Sequence, residues 1–270
     1  MKKTIKISLF LLTMISILTA CSSSVSKEKD ADSTKEPPKK QHLLIAAAAS
    51  LESVMEKEII PAFEKEHSGI KIEGNYDSSG KLQAQIEKGL EADIFFSAAT
   101  KQMNALVSQK LIEEKRVIPL LQNKLVMIVP SASNEVITNF TDLTKIDMIA
   151  IGDPASVPAG QYAEKALIKL GYWDYVKLHA SLGTNVTEVL NWVAEGSAQA
   201  GLVYATDAIG NNKVKVVAEL PEEALTETIV YPVAPLEQSK EKAVVDEFLT
   251  FLQSKEVVKY FEEAGFTLNK

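Results

Sequence analysis

Apolar residues recur along this chain in two alternating rhythms. Residues 43–49 form a continuous apolar run, and after it Leu51, Val54, Met55, Ile59 and Phe63 fall three or four apart, the spacing that lays side chains on one helical face. Residues 70–76 alternate apolar and polar, break at Ser78-Ser79-Gly80, and give way to Leu82, Ile86 and Leu90 at helical spacing. Residues 92–98 read as a third, buried strand, followed by a stripe of Met103, Leu106, Val107 and Leu111. Three strand–helix units in succession predict a parallel sheet with helices on its faces.

A second set follows: strand-like 124–130 and 148–151, a helix over 160–170, a strand over 177–182, a helix over 186–195 and a strand over 200–204. Residues 214–218 and 228–233 are again strand-like, and helices over 244–252 and 257–264 end the chain. No internal repeat is visible. Roughly 230 residues of this kind suit one large domain or two of half that size. Segments 124–130 and 228–233 bracket the second set and read as paired connections between two lobes. Lobe I then comprises 43–124 and 232–270, and lobe II 125–231.

The first forty residues obey neither rhythm. Met1-Lys2-Lys3-Thr4-Ile5-Lys6 is basic, residues 7–18 are apolar but too short to span a bilayer, and Leu18-Thr19-Ala20-Cys21 closes the run. This is the pattern of a secretory signal peptide over 1–20. Cys21 is the only cysteine, so it has no partner for an intramolecular disulfide. Leu-Thr-Ala-Cys resembles a bacterial lipobox, in which the cysteine sulfur receives diacylglycerol and becomes the new N-terminus. Two acyl chains hold a protein stably at a membrane surface. Residues 21–42, mostly Ser, Lys, Glu, Asp and Pro, bury too little apolar surface to order themselves and read as a flexible tether.

Charge narrows the class of partner. The full chain carries −7, and loss of the three lysines of residues 1–20 takes the mature chain to −10. An acidic protein is a poor nucleic-acid binder and does not attract anions from a distance. The three histidines, His42, His67 and His179, lack metal-ligand spacing, so no metal cation is expected. No Gly-x-Ser-x-Gly elbow, P-loop or Gly-x-Gly-x-x-Gly occurs, and no enzymatic activity is expected.

Candidate chemistry lies in short uncharged segments at strand-to-helix junctions. Ser50 and Ser79 each follow a strand and precede a helix, which places them at N-cap positions. Ala159 precedes a helix entered through Pro158, and Asn185 and Val186 begin another. Open α/β sheets bind ligands beyond the carboxyl ends of their strands, and helix starts present free N–H groups to anions. Any one of these segments is ordinarily just a cap or turn, and Tyr204 in its apolar strand just a core tyrosine. Their joint placement is what points to one anion site. Asp77 is expected to face solvent or cap the Ser-Ser-Gly turn, because an inward carboxylate would repel a dianion, and Lys81 is expected on the outer face.

Ala47-Ala48-Ala49-Ser50-Leu51, Tyr76-Asp77-Ser78-Ser79-Gly80-Lys81-Leu82, Gly152-Asp153-Pro154 with Val157-Pro158-Ala159-Gly160-Gln161-Tyr162-Ala163, and Gly201-Leu202-Val203-Tyr204 with Thr206-Asp207-Ala208 closely resemble the molybdate-binding proteins of bacterial ABC importers. The resemblance runs from about Leu43 to Leu268. It implies a two-lobed, type II periplasmic-binding-protein fold of the α/β class, each lobe a mainly parallel sheet flanked by helices, with two crossing hinge strands. It implies that Ser50 and Ser79 hold a tetrahedral oxyanion through hydroxyl and N–H, Ala159 and Val186 through N–H, and Tyr204 through its phenol. The ligand is then molybdate or tungstate, and the protein needs no cofactor. The partners are ABC importer permease subunits and, through lipidated Cys21, the outer face of a cytoplasmic membrane, as in a Gram-positive cell; the receptor is a monomer. Ser22 after the cysteine is consistent with that setting.

Three other readings remain at this stage: a receptor for sulfate or phosphate, a lipid-anchored hydrolase using Ser50 or Ser79, and a surface adhesin. A histidine near either serine would favour the second, an exposed aromatic patch the third.

Overall fold

The computed structural model describes residues 41–134 and 136–269. The signal peptide, Cys21 and nearly all of the expected tether lie outside them. The first sheet contains β1 (Gln41–Ala48), β2 (Ile70–Asp77), β3 (Ile94–Phe96), β4 (Ile118–Asn123), β10 (Ile229–Pro235) and β11 (Thr267–Leu268), in the order β11-β4-β10-β3-β1-β2. The second contains β5 (Leu125–Pro130), β6 (Ile149–Gly152), β7 (Ala180–Gly183), β8 (Ala200–Tyr204) and β9 (Val214–Glu219), in the order β7-β6-β8-β5-β9.

Both sheets are mixed. β1 runs parallel to β2 and β3, and β6 parallel to β7 and β8, as the alternating strand–helix pattern predicts. The reversed strands are β10 and β11 in the first sheet and β5 in the second, which leaves the majority direction parallel in each. The strand begins at Gln41, two residues before its expected start at Leu43. Pairing of Gln41 and His42 with Ile70 and Lys71 orders the backbone there although both side chains are exposed.

Period-two alternation puts the two faces of β1 in different cores. Leu43, Ile45 and Ala47 join Phe63, Phe248 and Phe261 beneath the first helix and the two C-terminal helices. Ala46 faces Leu82, Ile86, Met103 and Leu106 on the helices Ser79–Glu87 and Thr100–Ser108. Burying each such side chain stabilises the fold by about 1.5–3 kcal/mol. The first helical run, residues 49–66, passes through a π turn at Met55–Ile59 just before Pro61, whose missing N–H interrupts the regular ladder. The helix Pro158–Leu170 stops at Gly171, where φ is +81° and the N–H groups of Gly171 and Tyr172 cap Ile168 and Leu167.

The chain crosses between the sheets twice, at Lys124 and between β9 and β10. Segments 124–130 and 228–233 begin at these two crossings, as a pair of connections between lobes requires, but they do not pair with each other. β5 pairs with β8 and β9 in the second sheet, and β10 pairs with β3 and β4 in the first, from Ile229 onward. The first crossing is short because the Asn123 side chain accepts the Lys124 N–H at 2.8 Å, turning the chain within one residue. Residues 177–179, expected in a strand, instead finish the helix Trp173–His179, and β7 is correspondingly shorter.

Candidate functional site

Five residues singled out by the sequence line one small cavity between the sheets: Ser50 and Ser79 from the first, Ala159, Val186 and Tyr204 from the second. The open space within it is small, around 10 Å³, and suits a compact inorganic ion better than a sugar, peptide or nucleotide.

Each donor owes its position to a chain turn. Ser79 is the first residue of the helix Ser79–Glu87 rather than its cap; Ser78 holds the cap position, with extended backbone. Ser50 is likewise inside the first turn, because helical geometry already starts at Ala49. Ala159 is the second residue of the helix Pro158–Leu170, after the cap residue Val157. Val186 opens the helix Val186–Ala194, whose cap Asn185 accepts the Glu188 N–H at 2.9 Å. Helix geometry leaves the N–H groups of these first turns without intrahelical acceptors, and the macrodipole adds a partial positive charge there.

The side-chain donors are held by further contacts. Ser79 Oγ, fully buried, accepts the Ala98 N–H at 2.9 Å, so its own proton is free to be donated. Tyr204 Oη lies 3.4 Å from the Ala98 carbonyl, a long bond that a better acceptor would displace. Burial, reinforced by Tyr231, holds the Tyr204 phenol well above its ordinary pKa, so it keeps its proton. Ser50 Oγ lies 2.9 Å from Tyr231 Oη. Sequence reasoning did not single out Ala98, Tyr231 or the hydroxyl of Ser78, which lines the cavity and is buried without a hydrogen-bond partner among the described residues. The adjacent Ser79 was the available signal for Ser78. Apolar periodicity marks Tyr231 as buried but says nothing of where its hydroxyl points.

One charged residue borders the cavity. Asp77 caps the turn as expected: its Oδ1 accepts the Ser78 N–H at 2.7 Å and pairs with Lys81 Nζ at 3.3 Å. It also accepts from Asn185 Nδ2 across the cleft at 3.4 Å. Lys81 is thereby engaged outside the cavity. A larger groove of about 610 Å³ adjoins, sharing Ala49 and Ser50, but Glu52, Glu56, Glu195 and Asp207 outnumber Lys57 and Lys213 there. Its net charge disfavours an anion, so the small cavity is the anion-binding candidate.

The histidines serve other contacts. His67 stacks on Phe63 and lies 3.4 Å from Glu247, and His179 stacks on Tyr175. Among the described residues no group of three or more His, Cys, Asp or Glu is placed to hold a metal ion.

Polar contacts show how the lobes meet. The Gly80 N–H donates to the Ser156 carbonyl at 3.0 Å, and Gln102 Nε2 to Gln161 Oε1 at 3.2 Å. A Cβ on Gly80 would sit 2.3 Å from that carbonyl oxygen, so glycine is required for this approach.

Known proteins resemble this chain over most of its length. The family described as bacterial extracellular solute-binding protein matches residues 43–267. A putative ABC transporter substrate-binding lipoprotein, YvgL, of Bacillus subtilis is 40% identical over 97% of this chain and 98% of its own. The molybdate-binding protein ModA of Escherichia coli is 37% identical over 84% of this chain and 89% of its own. Among solved structures, the substrate-binding domain of a putative molybdenum ABC transporter from Clostridium difficile is 39% identical, covers 85% of this chain and 99% of its own, and superposes with a TM-score of 0.65.

Proposed function

Because the chain belongs to the bacterial extracellular solute-binding proteins, we propose that it captures molybdate or tungstate between its two lobes and delivers the anion to the permease of an ABC importer. The observation that carries this reading is the convergence of the neutral residues Ser50, Ser79, Ala159, Val186 and Tyr204 on one small cavity, with Asp77 the one charged residue at its border. Relatives named for molybdate binding, at up to 37% identity, support the choice of ligand. Lobe I comprises residues 43–124 and 232–270, and lobe II residues 125–231, with β10 already entering the first sheet at Ile229. The mature protein is extracytoplasmic and tethered through lipidated Cys21, a reading supported by the signal pattern and by the lipoprotein designation of the Bacillus relative.

Hydrogen bonds to a charged partner contribute about 1.5–3 kcal/mol each. Five to seven give about 8–20 kcal/mol, from which association and lobe closure subtract several, leaving micromolar to nanomolar affinity. The lining is mostly donors, and its one carboxylate, Asp77, is engaged by the Ser78 N–H, Lys81 and Asn185, so an oxyanion that carries a proton finds few acceptors, at a cost of about 1–3 kcal/mol. Sulfate, fully ionised like molybdate, must be discriminated by size, its oxygens lying closer to the centre. Isothermal titration with molybdate, tungstate, sulfate and phosphate tests the assignment. Tight binding of the first two with weak binding of the others is expected; sulfate binding as tightly as molybdate would sink it.

A further inference from the structure

Four residues with side-chain hydroxyls line the small cavity, Ser50, Ser78, Ser79 and Tyr204, and three of those hydroxyls already have a partner within the protein. Ser50 Oγ lies 2.9 Å from Tyr231 Oη, which in turn accepts from Asn123 Nδ2 at 3.2 Å. Ser79 Oγ accepts the Ala98 N–H, and Tyr204 Oη lies 3.4 Å from the Ala98 carbonyl. Ser78 is the exception: the residue is only 3% exposed, and its Oγ is buried with no hydrogen-bond partner among the described residues. Local structure explains why that hydroxyl is unspent. Ser78 is the cap residue of the helix Ser79–Glu87, where a serine ordinarily accepts an N–H of the first turn, yet its side chain makes no capping bond. The Gly80 N–H, one of the donors it would take, goes instead to the Ser156 carbonyl in the other lobe at 3.0 Å. The backbone of Ser78 is fully engaged, its N–H donating to Asp77 Oδ1 at 2.7 Å and its carbonyl accepting the Leu82 N–H at 3.0 Å. Only the hydroxyl is left.

We propose that Ser78 is a further ligand-contacting residue, whose Oγ donates to the bound anion and adds a third serine hydroxyl from the first lobe to those of Ser50 and Ser79. A buried hydroxyl without a partner is costly, and a residue that keeps one on the wall of a cavity is matched by an acceptor that arrives with the ligand. The same residue also steadies the border of the site, because its N–H holds the Asp77 carboxylate, the one charged group there. Ser78 is thus a donor twice over, through its backbone to the fixed carboxylate and through its side chain to the anion that enters. This inference rests on the reading of the cavity as an oxyanion site.

The test is isothermal titration of the full chain and its Ser78→Ala and Ser78→Gly variants with molybdate, together with thermal melts without ligand. Both substitutions remove the hydroxyl, and glycine remains acceptable at a helix cap where alanine is not. Kd should rise about tenfold in each, equivalent to about 1.4 kcal/mol. The ligand-free melting temperature of Ser78→Ala should hold, because the lost hydroxyl strands no partner, whereas Ser79→Ala strands the Ala98 N–H. An unchanged Kd overturns the proposal. So does a fall in melting temperature in Ser78→Ala that Ser78→Gly escapes, the mark of a hydroxyl spent on capping its helix. Failure of the unsubstituted chain to bind molybdate defeats the underlying reading as well, whereas normal binding by that chain with an unaltered Kd in both variants defeats this inference alone.

Discussion

Gly80→Ala separates closure from folding, because it should strengthen one and weaken the other. The added methyl would lie 2.3 Å from the Ser156 carbonyl oxygen, 2.8 Å from its Cα and 2.9 Å from its carbonyl carbon. All three atoms are backbone, so no side chain can rotate aside. Restoring ordinary contact at 3.4 Å requires the two lobes to separate there by 1.1 Å, the difference from 2.3 Å. Ser156 cannot yield alone: its N–H is bound to the Asp153 carbonyl at 3.0 Å, and the Val157 N–H to the same oxygen at 2.7 Å. The displacement passes instead to the start of the helix that carries the Ala159 N–H.

A shift of that size breaks the Gly80–Ser156 bond, about 0.5–1.5 kcal/mol, and the Ala159 bond to a charged ligand, about 1.5–3 kcal/mol. Allowing for relaxation, the expected loss is about 2–3 kcal/mol, roughly a 30- to 150-fold rise in Kd. With the lobes apart the methyl meets no such obstacle, and alanine is better than glycine in a helix by up to about 1 kcal/mol. The ligand-free melting temperature should therefore hold or rise while the molybdate-induced shift shrinks. Gly69→Ala, where a Cβ meets nothing within 4 Å, is the control. Calorimetry and thermal melts with and without molybdate read both quantities, and an unchanged Kd in Gly80→Ala would refute the reasoning.

The serines and the tyrosine differ in what they leave behind. Ser79→Ala strands the buried Ala98 N–H and should lower both affinity and ligand-free stability, the latter by about 1–3 kcal/mol, whereas Tyr204→Phe gives up only a 3.4 Å bond and should cost affinity with little change in melting temperature. Gly160→Ala places a Cβ 1.9 Å from the Gly152 carbonyl oxygen within one lobe, so denaturant unfolding should show a loss of about 3 kcal/mol or more. Burial pushes the Asp207 carboxyl up to about 7, offset in part by the Tyr204 N–H it accepts at 3.0 Å. With its folded value above the unfolded one, its contribution to stability is full below about 3.9 and lost as pH rises through about 7. The new charge beside Tyr204 should also weaken molybdate binding above pH 7, a slope that Asp207→Asn should flatten; a level Kd profile in the unsubstituted chain from pH 5.5 to 8.5 would contradict this.

What the sequence made legible is what local pattern encodes. β8 falls at residues 200–204 as expected, and Val186 opens its helix after a capping asparagine, because apolar periodicity and cap chemistry act within a few residues. β4 went unrecognised: Ile118–Asn123 contains Pro119, Gln122 and Asn123, and neither strand nor helix rhythm survives them. It becomes a strand because β10 and β11 flank it, a long-range fact. The capping assignment of Ser50 and Ser79 missed by one or two residues, since helical dihedrals begin earlier than the first apolar stripe suggests. Tyr231 and Asn123 are 108 residues apart, and no spacing rule connects a residue at a crossing with a hydroxyl on a returning strand.

Those long-range contacts also explain why closure should report on ligand. Bringing the lobes together gains four modest polar contacts, Gly80–Ser156, Gln102–Gln161, Asp77–Asn185 and Tyr204–Ala98, each contributing up to about 0.5–1.5 kcal/mol. It also buries Gln102 Oε1, Gln161 Nε2 and Ser78 Oγ without partners, each costing about 1–3 kcal/mol, and turns the first-turn N–H groups of opposed helices toward one another. The two sets nearly cancel, or favour opening, so the lobes without ligand have little reason of their own to stay shut. A dianion changes the sign, because it accepts from donors on both lobes at once and carries the charge that strengthens each bond. A lysine in that cavity would remove the need for such agreement, binding the anion from one lobe alone and leaving closure uncoupled from occupancy. Neutral donors divided between the lobes make the closed form a consequence of the bound ion, which is what a permease must be able to recognise.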